Sequence, residues 1–67
     1  MPEPYYNLGL SYYNRSEYDK AISYQMQALA LKPGYANAYS NMGWCYYDRE
    51  MYDKALEMFT KASELKP

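Results

Sequence analysis

Eleven of the 67 residues are tyrosines, against one tryptophan and one phenylalanine, and their spacing suggests recognition chemistry. Tyr6, Leu10 and Tyr13 fall at i, i+4 and i+7, and Ser40, Trp44 and Tyr47 repeat that spacing further along. Asn7 and Asn41 stand beside the two lines. Tyrosine and tryptophan offer a large rigid surface with a polar tip, which suits binding. Side-chain amides can donate to and accept from a ligand backbone. Ordinary packing competes as a role for the aromatic and aliphatic residues, and solvation or local hydrogen bonding competes for the asparagines.

Bond-making chemistry has little to stand on. The chain holds no histidine, so the commonest acid/base group and metal ligand is missing. Cys45 occupies the slot equivalent to Ser11 and reads as small structural filler. Asp19 and Asp53 each fall in a first helical turn, where the helix dipole favours negative charge. Met26, Met42, Met51 and Met58 sit at scattered positions and read as gap-fillers. No catalytic residue, metal set or cofactor is expected. Seven basic and eight acidic side chains leave a formal charge of −1, unlike the basic patches of nucleic-acid binders. No apolar run approaches the ~20 residues that span a bilayer, and no charged-then-apolar leader is visible. A single cysteine allows no intrachain disulfide, so a reducing, cytoplasmic setting is expected.

The stripes need helices to carry them. Tyr5, Leu8, Gly9 and Tyr12 fall at i, i+3, i+4 and i+7, a core-facing stripe rotated about 100° from the Tyr6 line. A polar break follows at Asn14–Glu17, with Ser16 expected to cap the next helix. That helix carries Ala21, Ile22, Gln25, Ala28, Leu29 and Leu31, until Pro33-Gly34 stops it. Gly9 is expected to face Ala21 and Ala28, letting two backbones approach. Tyr39, Met42, Gly43 and Tyr46, then Ala55, Leu56, Phe59, Ala62 and Leu65, repeat the arrangement. The expected fold is all-α: two tandem antiparallel helical hairpins with helices over about 4–15, 18–32, 37–49 and 52–66.

The two blocks are one block written twice. Tyr5, Asn7, Gly9, Tyr12, Tyr13 and Arg15 recur 34 residues on as Tyr39, Asn41, Gly43, Tyr46, Tyr47 and Arg49. Tyr18-Asp19-Lys20-Ala21 recurs as Tyr52-Asp53-Lys54-Ala55, and Leu31-Lys32-Pro33 as Leu65-Lys66-Pro67. A fixed period of this kind marks a stack of equivalent units. One domain over 1–67 is expected, with repeat one at about 2–34 and repeat two at about 36–67.

This pattern resembles the tetratricopeptide repeat: Tyr5, Leu8, Gly9, Tyr12, Tyr18, Ala21, Ala28 and Pro33, then Tyr39, Met42, Gly43, Tyr46, Tyr52, Ala55, Phe59, Ala62 and Pro67. Tyr5 and Tyr39 replace a frequent tryptophan, Gln25 stands where an aromatic is usual, and Ser63 and Glu64 make the last helix more polar. The resemblance implies an α-solenoid that binds a peptide or a helix of another protein in a concave groove. The groove residues would be Tyr6, Asn7, Leu10, Tyr13, Ser40, Asn41, Trp44 and Tyr47. Some relatives grip a carboxylate there with basic residues and asparagines. Only Asn41 matches that pattern, while Tyr6 and Leu10 stand where lysine and asparagine would be needed, so aromatic and apolar contacts should dominate.

Stacks usually need three or more units and a cap. With two units, Leu56 and Phe59 should project where a third would pack. Self-association is therefore expected, as a head-to-tail homo-oligomer or a domain-swapped dimer. The leading functional expectation is a protein-interaction module with an aromatic groove. The alternative is a structural self-assembly unit, an excised or engineered repeat fragment whose only partner is itself. A mid-helix glycine costs about 1 kcal/mol relative to alanine, so Gly9 and Gly43 must be there for packing. Gly43→Leu should abolish or grossly weaken the cooperative thermal melt followed by circular dichroism.

Overall fold

The structure, a computed structural model, describes residues 1–66, so the closing proline expected at Pro67 lies outside the described residues. Four helices follow one another: α1 (Glu3–Asn14), α2 (Tyr18–Leu31), α3 (Ala36–Asp48) and α4 (Tyr52–Leu65). Their bounds lie within about a residue of those read from the pattern. α1 pairs with α2, α3 pairs with α4, and α3 packs on α2 and, along a narrower seam, on α1. Among the described residues no helix is long and apolar enough to cross a membrane.

The turn inside each hairpin is the same device. Ser16 and Glu50 both stand in the left-handed region at φ 61°. The Ser16 N–H donates to the Tyr13 carbonyl and the Glu17 N–H to the Tyr12 carbonyl, each at 2.9 Å. Glu50 and Met51 make the same pair of bonds to Tyr47 and Tyr46. This double closure at a helix C-terminus is the Schellman arrangement. Ser16 therefore closes α1 instead of capping α2, whose preceding residue is Glu17 and which has no side-chain cap. The acidic residues do sit in first turns, Asp19 on α2 and Asp53 on α4.

Each hairpin closes on small residues. Ala21 and Ala28 in the first, and Ala55 and Ala62 in the second, are buried. A Cβ added at Gly43 would lie 2.8–2.9 Å from three carbons of the Phe59 ring. Phe59 thus lies against its own hairpin and is half-buried, so it projects from the open end less than expected. Leu56, one turn earlier, does project. With so little room between the backbones, the large rings lie along the flanks. Tyr5 and Tyr12, expected in the core, are half-buried and embrace Tyr24, with centroids 6.5 and 5.4 Å away. Lys20 covers Tyr12 at 5.4 Å, and its counterpart Lys54 covers Tyr46 at 5.6 Å. Leu8, also read as core, stands exposed on α1.

The corresponding slot in the first hairpin holds an amide. A Cβ at Gly9 would overlap Gln25 Nε2 and come within 3.2 Å of the Ala21 carbonyl oxygen, so Gly9 faces Gln25 and Ala21. Gln25 is wholly buried. Its Nε2 donates to the Tyr6 carbonyl of α1 at 3.1 Å and to Asn41 Oδ1 of α3 at 3.0 Å. Both neighbours are acceptors, which dictates the orientation of the amide. Its Oε1 has no protein hydrogen-bond partner among the described residues. One side chain thus joins three helices and both repeats. On the surface Arg49 adds an ion pair to Asp19 at 2.7 Å, worth little because Asp19 is open to water.

A non-glycine residue in the left-handed region costs about 1–2 kcal/mol, part of which a glycine gives back as unfolded-state entropy. Glu50→Gly should therefore stabilise the chain by about 0.5–1 kcal/mol. Thermal denaturation should show a melting temperature higher by several degrees, at about 4–8 °C per kcal/mol for this size.

Candidate functional site

The seam between α1 and α3 opens into a cleft of about 490 Å³. Tyr6, Leu10, Tyr13 and Asn14 form the α1 wall, and Ser40, Asn41 and Trp44 the α3 wall. The walls follow from helical geometry: residues three and four apart share a face, and the other face of α1 is occupied by α2. α3 packs against α2 as well as α4, so the equivalent stripe of α3 is left to line the seam.

The rings are braced by other rings. Tyr6 meets Tyr35 edge-on at 5.5 Å, and Tyr13 tilts onto Tyr18 at 5.8 Å. Trp44, 49% exposed, stands edge-on between Phe59 at 5.2 Å and Tyr47 at 5.7 Å. Tyr47 continues the line to Tyr52 at 5.3 Å. Side chains held in this way lose less conformational freedom when a ligand arrives.

The cleft carries no positive charge. Every lysine and arginine is engaged outside it: Arg15 and Lys20 with Glu17, Arg49 with Asp19 and Lys66 with Asn37. Lys32, Lys54 and Lys61 lie over Tyr35, Tyr46 and Tyr39. The basic half of a carboxylate-gripping site is therefore missing from these walls. Asp48 stands at the Tyr13 end, where the Tyr18 hydroxyl donates to it at 3.3 Å. The Tyr13 hydroxyl is pushed up to about 12, first by burial and then by its hydrogen bond to Asp48. Burial, then the neighbouring Tyr35, also raises Tyr6. Both hydroxyls stay protonated at any physiological pH; the Tyr13 proton is held by Asp48, and the Tyr6 hydroxyl can donate to a ligand.

Six of the eight residues singled out from the sequence meet in this cleft: Tyr6, Leu10, Tyr13, Ser40, Asn41 and Trp44. Two do not. Asn7 is exposed on α1, off the cleft wall. Tyr47 lies beyond the cleft against Trp44 and Tyr52. Asn41 contributes only an edge, being 4% exposed with its Oδ1 committed to Gln25. Asn14 belongs to the wall although in sequence it reads as part of the polar break; its place four residues after Leu10 is the available signal. Cys45 is buried beneath, its thiol 3.9 Å from Asn41 Oδ1. Burial first, then the charge of Asp48, pushes the Cys45 thiol up to about 11, and a neutral enclosed thiol is a poor nucleophile.

The backbone superimposes on the crystal structure of MamA with a TM-score of 0.92 and 36% sequence identity. The alignment covers 98% of this chain and 39% of that one, so the chain spans well under half the length of the MamA chain. No curated protein sequence matches it significantly. The family model described as tetratricopeptide repeat matches residues 1–67. With two helical hairpins of one pattern stacked through α2 and α3, this chain belongs to the tetratricopeptide repeat family.

Proposed function

We propose that the chain is a non-catalytic protein-interaction module that holds an extended, uncharged segment of another protein in the α1–α3 cleft. The observation that carries this reading is the convergence of braced aromatic rings and amides from two repeats on one cation-free seam. An aromatic-lined groove with a few hydroxyl donors suits a peptide with apolar or proline side chains and free backbone carbonyls. Acidic peptides find no counter-charge there and are repelled at the Asp48 end.

A second reading is favoured by one observation. Leu56 is 67% exposed, whereas its counterpart Ile22, with a repeat stacked beyond it, is half-buried. The ends of the stack would then engage a further hairpin, as a head-to-tail homo-oligomer, a domain-swapped dimer or a neighbouring repeat.

Trp44 is the only tryptophan and stands in the cleft wall, so its fluorescence reports occupancy. Random twelve-residue peptides selected on the immobilised chain should be rich in apolar residues and proline and poor in acidic ones. They should shift the Trp44 emission, and Leu10→Glu should weaken them about tenfold or more. Selected peptides that bind Leu10→Glu and Tyr13→Ala as tightly as the parent chain would place the ligand elsewhere.

A further inference from the structure

The chain carries its own template for what fits its ends. Ala38, Asn41, Met42 and Cys45 of α3 are all buried, while Pro4, Asn7, Leu8 and Ser11, 34 residues earlier on α1, are all exposed. Met42 is 7% exposed and Leu8 42%. Each residue sits at the same place in its own hairpin, so the difference comes from the repeat stacked in front of α3. Pro4, Asn7, Leu8 and Ser11 therefore mark the face of α1 that a preceding hairpin would cover. The other half of the joint is the Tyr18, Ile22, Gln25 side of α2, repeated at the far end as Tyr52, Leu56 and Phe59.

The two ends do not match each other. In the internal joint the buried Asn41 Oδ1 accepts a hydrogen bond from Gln25 Nε2 at 3.0 Å. If one copy stacked on another in the same register, Asn7 would take the place of Asn41 and Phe59 the place of Gln25. An asparagine amide would then be buried against an aromatic ring without the glutamine donor, its oxygen left to the Ser11 hydroxyl one turn on, as Asn41 Oδ1 has the Cys45 thiol in addition to Gln25. Leaving a buried polar group unpaired costs more than never having had it. Single buried polar residues of this kind set partner and register in other helical assemblies.

Building on the end-to-end reading, we infer that the Gln25–Asn41 amide pair is a matching element. The Asn7 face of α1 takes a helical hairpin that presents a glutamine amide at the Gln25 position, in preference to a second copy of this chain. The chain's own Phe59→Gln variant supplies that partner. Gln25 beside Gly9 already shows that a glutamine fits this slot opposite a helix glycine.

Sedimentation velocity over a concentration series tests the inference with four chains: the parent, Phe59→Gln, Asn7→Ala and the double variant. Phe59→Gln should associate about tenfold more tightly than the parent, the scale set by one buried hydrogen bond gained. The effect of Asn7→Ala should change sign. It should tighten the parent, where the amide lacks its glutamine partner, and loosen Phe59→Gln, where it has one. Asn7 is exposed in the free chain, so the parent arm holds even where Phe59→Gln fails to fold. An Asn7→Ala effect of one sign in both backgrounds, or a weakened parent, overturns the matching role. Association that Leu56→Asp abolishes then leaves the end-to-end reading standing without it. A folded parent and a folded Phe59→Gln that both stay monomeric at high micromolar concentration overturn both.

Discussion

One buried amide holds the two repeats in register. Gln25 Nε2 reaches back to the Tyr6 carbonyl and forward to Asn41 Oδ1, so its position depends on α1, α2 and α3 together. Hydrogen bonds are directional where apolar contacts are not. The α1–α3 seam therefore has one defined geometry instead of a range of sliding ones. Gly9 makes this possible, because any side chain there would occupy the space of the amide. Gln25 Oε1 has no protein partner among the described residues, and the gain from the amide lies in specificity more than in stability.

The character of the cleft follows from how little room the hairpins leave inside. Alanines and glycines bring paired helices close, and large rings are displaced to the flanks or to the seam. Rings on one side are covered by lysines, which keeps those charges away from the cleft. Rings at the seam brace one another instead. A neutral, stiff, aromatic cleft is thus a by-product of the same packing that closes the hairpins.

Much of this was legible in the residues. The 34-residue recurrence gave the helices nearly to the residue, because the signals repeat and check each other. The Tyr6–Leu10–Tyr13 and Ser40–Trp44 stripes came out as the cleft walls for the same reason. What periodicity could not give was which of two equivalent residues has a neighbour. Asn7 and Asn41 look identical in sequence, yet one is exposed and the other buried. Gln25 stood out only as a departure from an aromatic, and its partners depend on a contact across 16 residues. Ser16 misled because serine favours helix starts, while its left-handed backbone at the end of α1 has no marker when glycine is absent.

The joint between the repeats turns on the Gln25 side chain, and its NH₂ group can be observed directly. In a ¹H–¹⁵N correlation spectrum of the native chain, the Gln25 side-chain protons should exchange with solvent far more slowly than those of the exposed Gln27. They should also show nuclear Overhauser contacts to α1 near Tyr6 and to Asn41 on α3. Side-chain protons that exchange as fast as those of Gln27, with no contact to either helix, would contradict a structure organised around this amide.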